Sequence, residues 1–421
     1  MPTLRIQPQR RQPRRIQLRR LFILLTTALL LSACLPGGTR SPAQTPVLVW
    51  HFFPDAEIAL LEEIVADFSD LNPDVYVILE RAPEEVERFD EQINAGLGPD
   101  LLVGSAAQLA WEIEQGYWLD LAGEDLDLDP FLPQVIRALQ WEDQLYAVPL
   151  TAVTQVLFYN TSRIETPAED LDQLLADADN GHTIGLPFDA SQTLWGVNAF
   201  GSQLIGADGS LHPDPAFQAW IEWTKAAQSQ PSVFLDADIL NLVNLFATSK
   251  LDYLIANSYF IGDLRDGLGE EQVGVALLPS GPNPTPGGPL TLEALTMSTS
   301  TANPDIVLDL MRHFTDVKAQ RILARSGTGR IPVNRDVVID SRIDPVSAMV
   351  QEQVNRALVL PFEVSSLDHP LYAAGDRVYV EILQNKTAAQ DAGARWVEEL
   401  SVELTAIEEE TNAAYQADTQ E

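Results

Sequence analysis

Apolar and polar positions along this chain follow two periods in turn. Val47-Leu48-Val49-Trp50 is a short apolar run that predicts a buried strand. Ile58, Leu61, Ile64, Val65, Phe68 and Leu71 then recur at spacings of three and four, which puts one apolar face on a helix. Asp55 is placed to cap that helix, with Glu57 in its first turn, and Asn72-Pro73 ends it. A strand is expected from Val75 to Leu79. Val86, Phe89 and Ile93 mark a second amphipathic helix that stops at Gly96 and Gly98, and Leu101-Leu102-Val103 is a third strand. The order is β-α-β-α-β, the unit that builds a parallel sheet with helices on its faces and places ligands beyond the carboxyl ends of its strands.

The alternation continues. The pattern predicts strands at 155–159, 183–186, 251–255, 273–278 and 291–298. Helices are expected at 167–178 with Pro167 near the start, at 194–205, at 214–229, and at 305–324 with a break near Thr315. Residues 279–289, rich in Pro and Gly, form a loop, and the tail from about 388 is helical and acidic.

The first 33 residues fall outside this scheme. They hold seven arginines and no acidic residue, followed by an apolar run from Leu21 to Leu31. As a helix that run measures about 16 Å, short of the roughly 20 residues that span a bilayer. It fits the apolar core of a secretory signal. Leu31-Ser32-Ala33-Cys34 closes it, and Cys34 is the sole cysteine of the chain. A multi-cysteine metal or disulfide framework is therefore excluded. Residues 35–46, rich in Gly, Pro, Ser and Thr, read as a flexible tether.

Charge narrows the function. The 421 residues carry a net charge of −35; without the seven leader arginines, 19 basic residues face 61 acidic ones, a net charge of −42. Such a body repels nucleic-acid phosphates. There is no Gly-x-Ser-x-Gly elbow, no phosphate-binding Gly-x-x-x-x-Gly-Lys loop and no His-Glu-x-x-His. The five histidines lack metal-ligand spacing, and the acidic run 123–130 fails the calcium-loop pattern at Pro130 and Ile136. No catalytic group and no metal ligand is assigned, and no cofactor is expected.

Four places invite a ligand. These are Trp50-His51-Phe52-Phe53 at the end of the first strand, the Gly104-Ser105 strand end, Asn257-Ser258-Tyr259-Phe260, and Gly287-Gly288 before the strand with Glu293. Core packing competes as the explanation for each aromatic ring.

In order along the chain, these features resemble the family 1 extracellular solute-binding proteins of bacterial ABC importers, the carbohydrate binders of the maltose-binding type. The Leu31–Cys34 box resembles the lipobox of bacterial lipoproteins. Phe68 followed by Asn72-Pro73 and Val75, and Gly96 followed by Pro99-Asp100, are similar to the family pattern. So is Tyr146-Ala147-Val148-Pro149 followed by Leu157-Phe158-Tyr159-Asn160, where the family crosses between lobes. Phe246 to Lys250 with Asn257 to Tyr259, Gly287 to Thr299, and Gly327 to Val333 complete the likeness. Ser249 replaces a family glycine, and Tyr259 stands where a stacking tryptophan is common. Gly104 and Ala107 stand where maltodextrin binders carry polar or aromatic groups, which counts against a maltodextrin ligand.

The resemblance implies an α/β, two-lobed periplasmic-binding-protein type II fold, each lobe a mostly parallel sheet flanked by helices. The lobes are expected at 47–152 plus 286–338 and at 153–285 plus 339–421, with crossing segments near 151–156, 284–290 and 336–345 as the hinge. It implies a lipid-anchored extracytoplasmic receptor, monomeric, that closes on a carbohydrate and docks on permease subunits, with Cys34 bearing the lipid. Stacking is expected from Trp50, Phe52, Trp195, Tyr259 and Tyr146. Polar contacts are expected from His51, Ser105, Thr151, Asn257, Glu293 and Arg330, with Gly288 allowing close approach. A receptor of the same fold for a polyamine, metal ion or other small polar solute, and a lipid-anchored glycoside hydrolase, are the alternatives.

Overall fold

The computed structural model describes residues 44–418, apart from 84, 207, 361–363 and 365–368. Cys34 and the leader lie outside the described residues. The body from Pro46 onward is one compact unit built on two large sheets.

The first sheet takes β1 (Thr45–His51), β2 (Val75–Arg81), β3 (Leu101–Ser105), β6 (Val148–Val153), β12 (Thr291–Met297) and β13 (Ile331–Pro332), in the order β13-β6-β12-β3-β1-β2. The second takes β7 (Gln155–Asn160), β8 (Ile184–Pro187), β9 (Val233–Asp236), β10 (Tyr253–Asn257) and β11 (Val273–Ala276), in the order β11-β7-β10-β8-β9. A small hairpin joins β4 (Gln140–Trp141) to β5 (Gln144–Leu145). The chain thus leaves the first sheet at Val153, enters the second at Gln155, and returns to the first between Ala276 and Thr291.

Pairing is parallel in β1–β3, β10–β8 and β8–β9. It is antiparallel wherever a strand adjoins a crossing segment: β12 with β3 and β6, β13 with β6, and β7 with β10 and β11. Both sheets are therefore mixed, which corrects the expectation of mostly parallel ones. A strand that arrives from the other sheet enters against the run of the β-α-β unit.

Each sheet has its own core. Trp50, Phe68, Leu102, Phe131 and Met311 belong to the first; Trp195, Phe217, Trp220, Tyr379 and Trp396 pack on one face of the second, and Phe158, Phe246 and Leu254 on its other face. The helix Ile58–Leu71 buries Leu61, Ile64, Val65 and Phe68, as its period requires. Helices Pro304–Thr315 and Val317–Leu323 break where expected, with the Asp316 carboxylate accepting from the Ala319 N–H at 2.7 Å.

Three local expectations change. The helix expected from Pro167 begins at Leu171, because Asp170 provides the side-chain cap to Gln173 and Pro167 lies in the approach. The helix expected over 194–205 ends at Ala199, two residues before Gly201 turns the chain at φ +82°. Asp55 does not cap: it lies in a 3-10 turn with Glu57, and its carboxylate pairs with Arg81.

Candidate functional site

In an open α/β sheet the strand ends carry the chemistry, since side chains there leave the packed ladder and face a crevice. In the first sheet β1 and β3 run in parallel register, Val49 beside Leu101 and His51 beside Val103, so β1 ends at His51 and β3 runs two residues further, to Ser105. In β12, between β3 and β6, Glu293 lies level with Ser105 on one side and Thr151 on the other. The register shifts immediately after Glu293, a bulge that re-aims the strand there.

Three charges meet at this level. Arg330, just before β13, places Nε 2.9 Å from Glu57 Oε2 and Nη1 2.7 Å from Glu293 Oε1. Its guanidinium also lies 5.1 Å from the centre of the Phe53 ring. Glu57 is only 4 % exposed. Burial pushes its carboxyl above the usual range, against the opposing pull of Arg330. Arg330 is partly buried, which alone would lower its pKa, but Glu293 and Glu57 outweigh burial and raise it. The cluster holds one more carboxylate than cation. Its guanidinium is committed on two edges and is not free to clamp an anionic ligand.

The second sheet meets this cluster at the end of β10. The Ser258 hydroxyl donates to the Gly329 carbonyl at 2.7 Å, and the Ser258 N–H donates to the Thr154 carbonyl at 2.8 Å. Tyr259 follows with 44 % of its surface exposed, its ring centre 4.3 Å from that of Phe260. Burial raises the Tyr259 phenol pKa while Arg330 lowers it, so the phenol lies within the field of the guanidinium. Asn257 Oδ1 accepts from the Tyr259 N–H at 3.2 Å, so the carboxamide is partly spent on a local cap. Nearby, Gln155 Nε2 donates to the Gln192 carbonyl at 2.8 Å.

Of the expected contacts, Ser105, Thr151, Glu293, Arg330, Asn257 and Tyr259 occupy this junction. Thr151 is buried, its hydroxyl lacking a partner within hydrogen-bond reach. Others sit elsewhere. Trp50 is 2 % exposed and meets Phe89 edge-on at 5.4 Å; Trp195 is 1 % exposed and meets Trp220 the same way at 5.4 Å. Both offer their faces to the core, not to a ligand. His51 is buried, and burial first, then Arg81, lowers its pKa. Phe52 stacks on Phe89 at 6.5 Å, over Gly104, where a Cβ would come 3.1 Å from the ring. Gly104 thus makes room for Phe52.

Tyr146 is half-buried and its hydroxyl donates to Gln144 in the β4–β5 hairpin at 2.8 Å. Gly288 lies where the chain recrosses: its carbonyl accepts from the Thr154 hydroxyl at 3.2 Å and the Leu358 N–H at 2.8 Å, and a Cβ there would meet Gln155 at 2.9 Å. Its role is in the crossing. Sequence reasoning missed Glu57; Phe53 and Ser258 fell within segments that invited a ligand, but neither was given a contact. Glu57 carried a signal in hindsight, being an acid on the helix stripe that faces inward.

A second opening, a groove of about 980 Å³, runs along the boundary between Gln134–Asp143 and Leu194–Asp214, with Leu358–Leu360 also lining it. None of its lining residues ends a strand of either large sheet, and no Phe, Tyr or Trp ring lines it.

The sequence profile of the bacterial extracellular solute-binding proteins matches residues 63–354. The chain belongs to that family. A maltotriose-binding protein of Pyrococcus abyssi is 24 % identical in an alignment of 344 positions that covers 75 % of this chain and 73 % of that one. Among solved structures, the cyclic α-maltosyl-1,6-maltose binding protein of Arthrobacter globiformis superposes with a TM-score of 0.76 at 17 % identity, over 86 % of this chain and 99 % of that one. The GacH receptor of Streptomyces glaucescens, solved unliganded and with acarbose, gives 0.72 at 20 % identity over 86 % and 99 %. This solute-binding protein therefore has the two-lobed type II periplasmic-binding fold, and the family is extracellular.

Proposed function

We propose that this solute-binding protein is the receptor of an ABC importer and takes a carbohydrate between its lobes at the junction of Glu57, Glu293, Arg330, Ser105 and Tyr259. The observation that carries this reading is the junction itself, where the strand ends of both sheets meet and buried hydrogen-bonding groups lie beside an exposed aromatic ring. Hydroxyls suit the carboxylate and hydroxyl acceptors, and a sugar C–H face suits Tyr259. The names of the relatives support a saccharide of several units. Gly104, set against Phe52, offers that saccharide no side chain.

The two sheets support lobes at 47–152 plus 286–338 and at 153–285 plus 339–421. Ligand that touches both lobes stabilises the closed state and shifts the population toward it. No chemical step is assigned to the protein: it binds and releases its ligand unchanged. Cys34 would carry the lipid that anchors the monomer outside the cell membrane, where the closed form docks on permease subunits.

A thermal-shift panel of mono- and oligosaccharides tests the reading. A true ligand at a hundredfold its Kd adds about 2.7 kcal/mol of stability, and it is recovered intact by chromatography. Cleavage of a glycoside would move the protein to the hydrolases. A shift with spermidine and with no saccharide would move it to the polyamine receptors.

A further inference from the structure

We infer that Gly329 and Ser258 form a seam between the two sheets that sets how closely the lobes approach, and that the Glu57–Arg330–Glu293 cluster, besides lining the junction, holds that seam in place. Gly329 stands at φ +76°, and a Cβ there would lie 2.0 Å from the Ser258 carbonyl oxygen and 2.5 Å from its carbonyl carbon. Backbone meets backbone with no room for a methyl group. The Ser258 hydroxyl closes the contact on the Gly329 carbonyl at 2.7 Å, and it is buried.

The two sides belong to different sheets. Ser258 follows the last residue of β10, and Gly329 lies two positions before β13. Between Gly329 and β13 stands Arg330, tied by Glu57 from the β1 side and by Glu293 from β12. The turn that offers the Gly329 carbonyl is thus pinned at two points of the first sheet's framework, Glu57 and Glu293. Arg330 and its carboxylates act as positioning residues for the seam. The inference needs no sugar, so it stands or falls apart from the carbohydrate reading.

Gly327 supplies an internal control. It lies in the same turn at φ +62°, with nothing within 4 Å of a Cβ. Gly327→Ala and Gly329→Ala impose similar backbone strain, but only the second drives a wedge into the seam. To restore ordinary contact at 3.4 Å, Ser258 and Gly329 must separate by about 1.4 Å from the 2.0 Å clash.

The experiment measures the distance between nitroxides at Ala66→Cys and Ala226→Cys by pulsed electron resonance, in the full chain carrying Cys34→Ser and without ligand. Both alanines are exposed, on helices flanking the first and second sheets. Gly329→Ala is expected to shift the distribution to longer distances, while Gly327→Ala leaves it at the parent position. Equal distributions in all three overturn the inference. If Gly329→Ala does not fold while Gly327→Ala does, Ser258→Ala decides. Loss of the hydroxyl alone is expected to broaden the parent distribution, and an unchanged one overturns the seam.

Discussion

Replacing Glu112 by Gln should flatten the pH dependence of this protein's stability. Glu112 sits in the helix Ala106–Glu114, 6 % exposed, and accepts a hydrogen bond from the Trp118 indole N–H at 2.9 Å. Burial pushes its carboxyl from 4.5 up to about 8; the Trp118 bond opposes this and the charge of Asp90 adds to it. Between those two values the folded protein keeps a proton that the unfolded chain has released. The unfolded state binds fewer protons there, so stability falls as pH rises. The contribution is complete below pH 4.5 and lost as pH passes through about 8. Integrated from pH 5 to pH 8, it amounts to about 3–4 kcal/mol. Gln has the same shape, keeps an acceptor for Trp118 and cannot ionise. Urea unfolding of both proteins at pH 5, 6, 7 and 8, followed by tryptophan fluorescence, gives the comparison. The variant is expected to gain on the parent by that amount across the window. A constant difference between the two at all four pH values would refute the reasoning, because Glu112 would then titrate alike folded and unfolded.

Other perturbations separate core from site. Arg330→Met leaves the buried Glu57 and the partly buried Glu293 without their cation, and chemical denaturation should show a loss of about 3–5 kcal/mol; pairing it with Glu57→Gln should recover part of that loss. Trp50→Ala and Trp195→Ala empty packed positions and should each cost about 3–5 kcal/mol in the same assay, which marks them as core residues. Tyr259→Ala removes a half-exposed ring and should change stability by about 1 kcal/mol or less, while calorimetry shows a weakened saccharide.

How far the sequence could be read depends on the range of the interaction that decides each feature. The helix Ile58–Leu71 was legible because its apolar spacing is a local consequence of one buried face, and Leu101-Leu102-Val103 because a strand buried on both sides must be apolar throughout. The break at Thr315 was legible for the same reason. The helix expected over 194–205 was not, because apolar residues continue past Ala199 and only the turn at Gly201 stops it. Strand ends could be located, but not the face a side chain takes. Trp50 alternates away from His51 and lies against Phe89, a partner 39 positions on that no period announces.

Glu57 shows the limit most clearly. On its own helix it reads as a first-turn acid attracted by the dipole, and any exposed glutamate would satisfy that reading. What buries it is Arg330, which arrives from the far end of the chain and is shared with Glu293. A buried acid is tolerated only with such a partner, so the burial of Glu57 and the identity of residue 330 form one condition divided between two distant segments. A charge at either position therefore says little alone. The pair, placed where β10 of the other sheet ends, makes the turn before β13 rigid at the point where the two sheets touch.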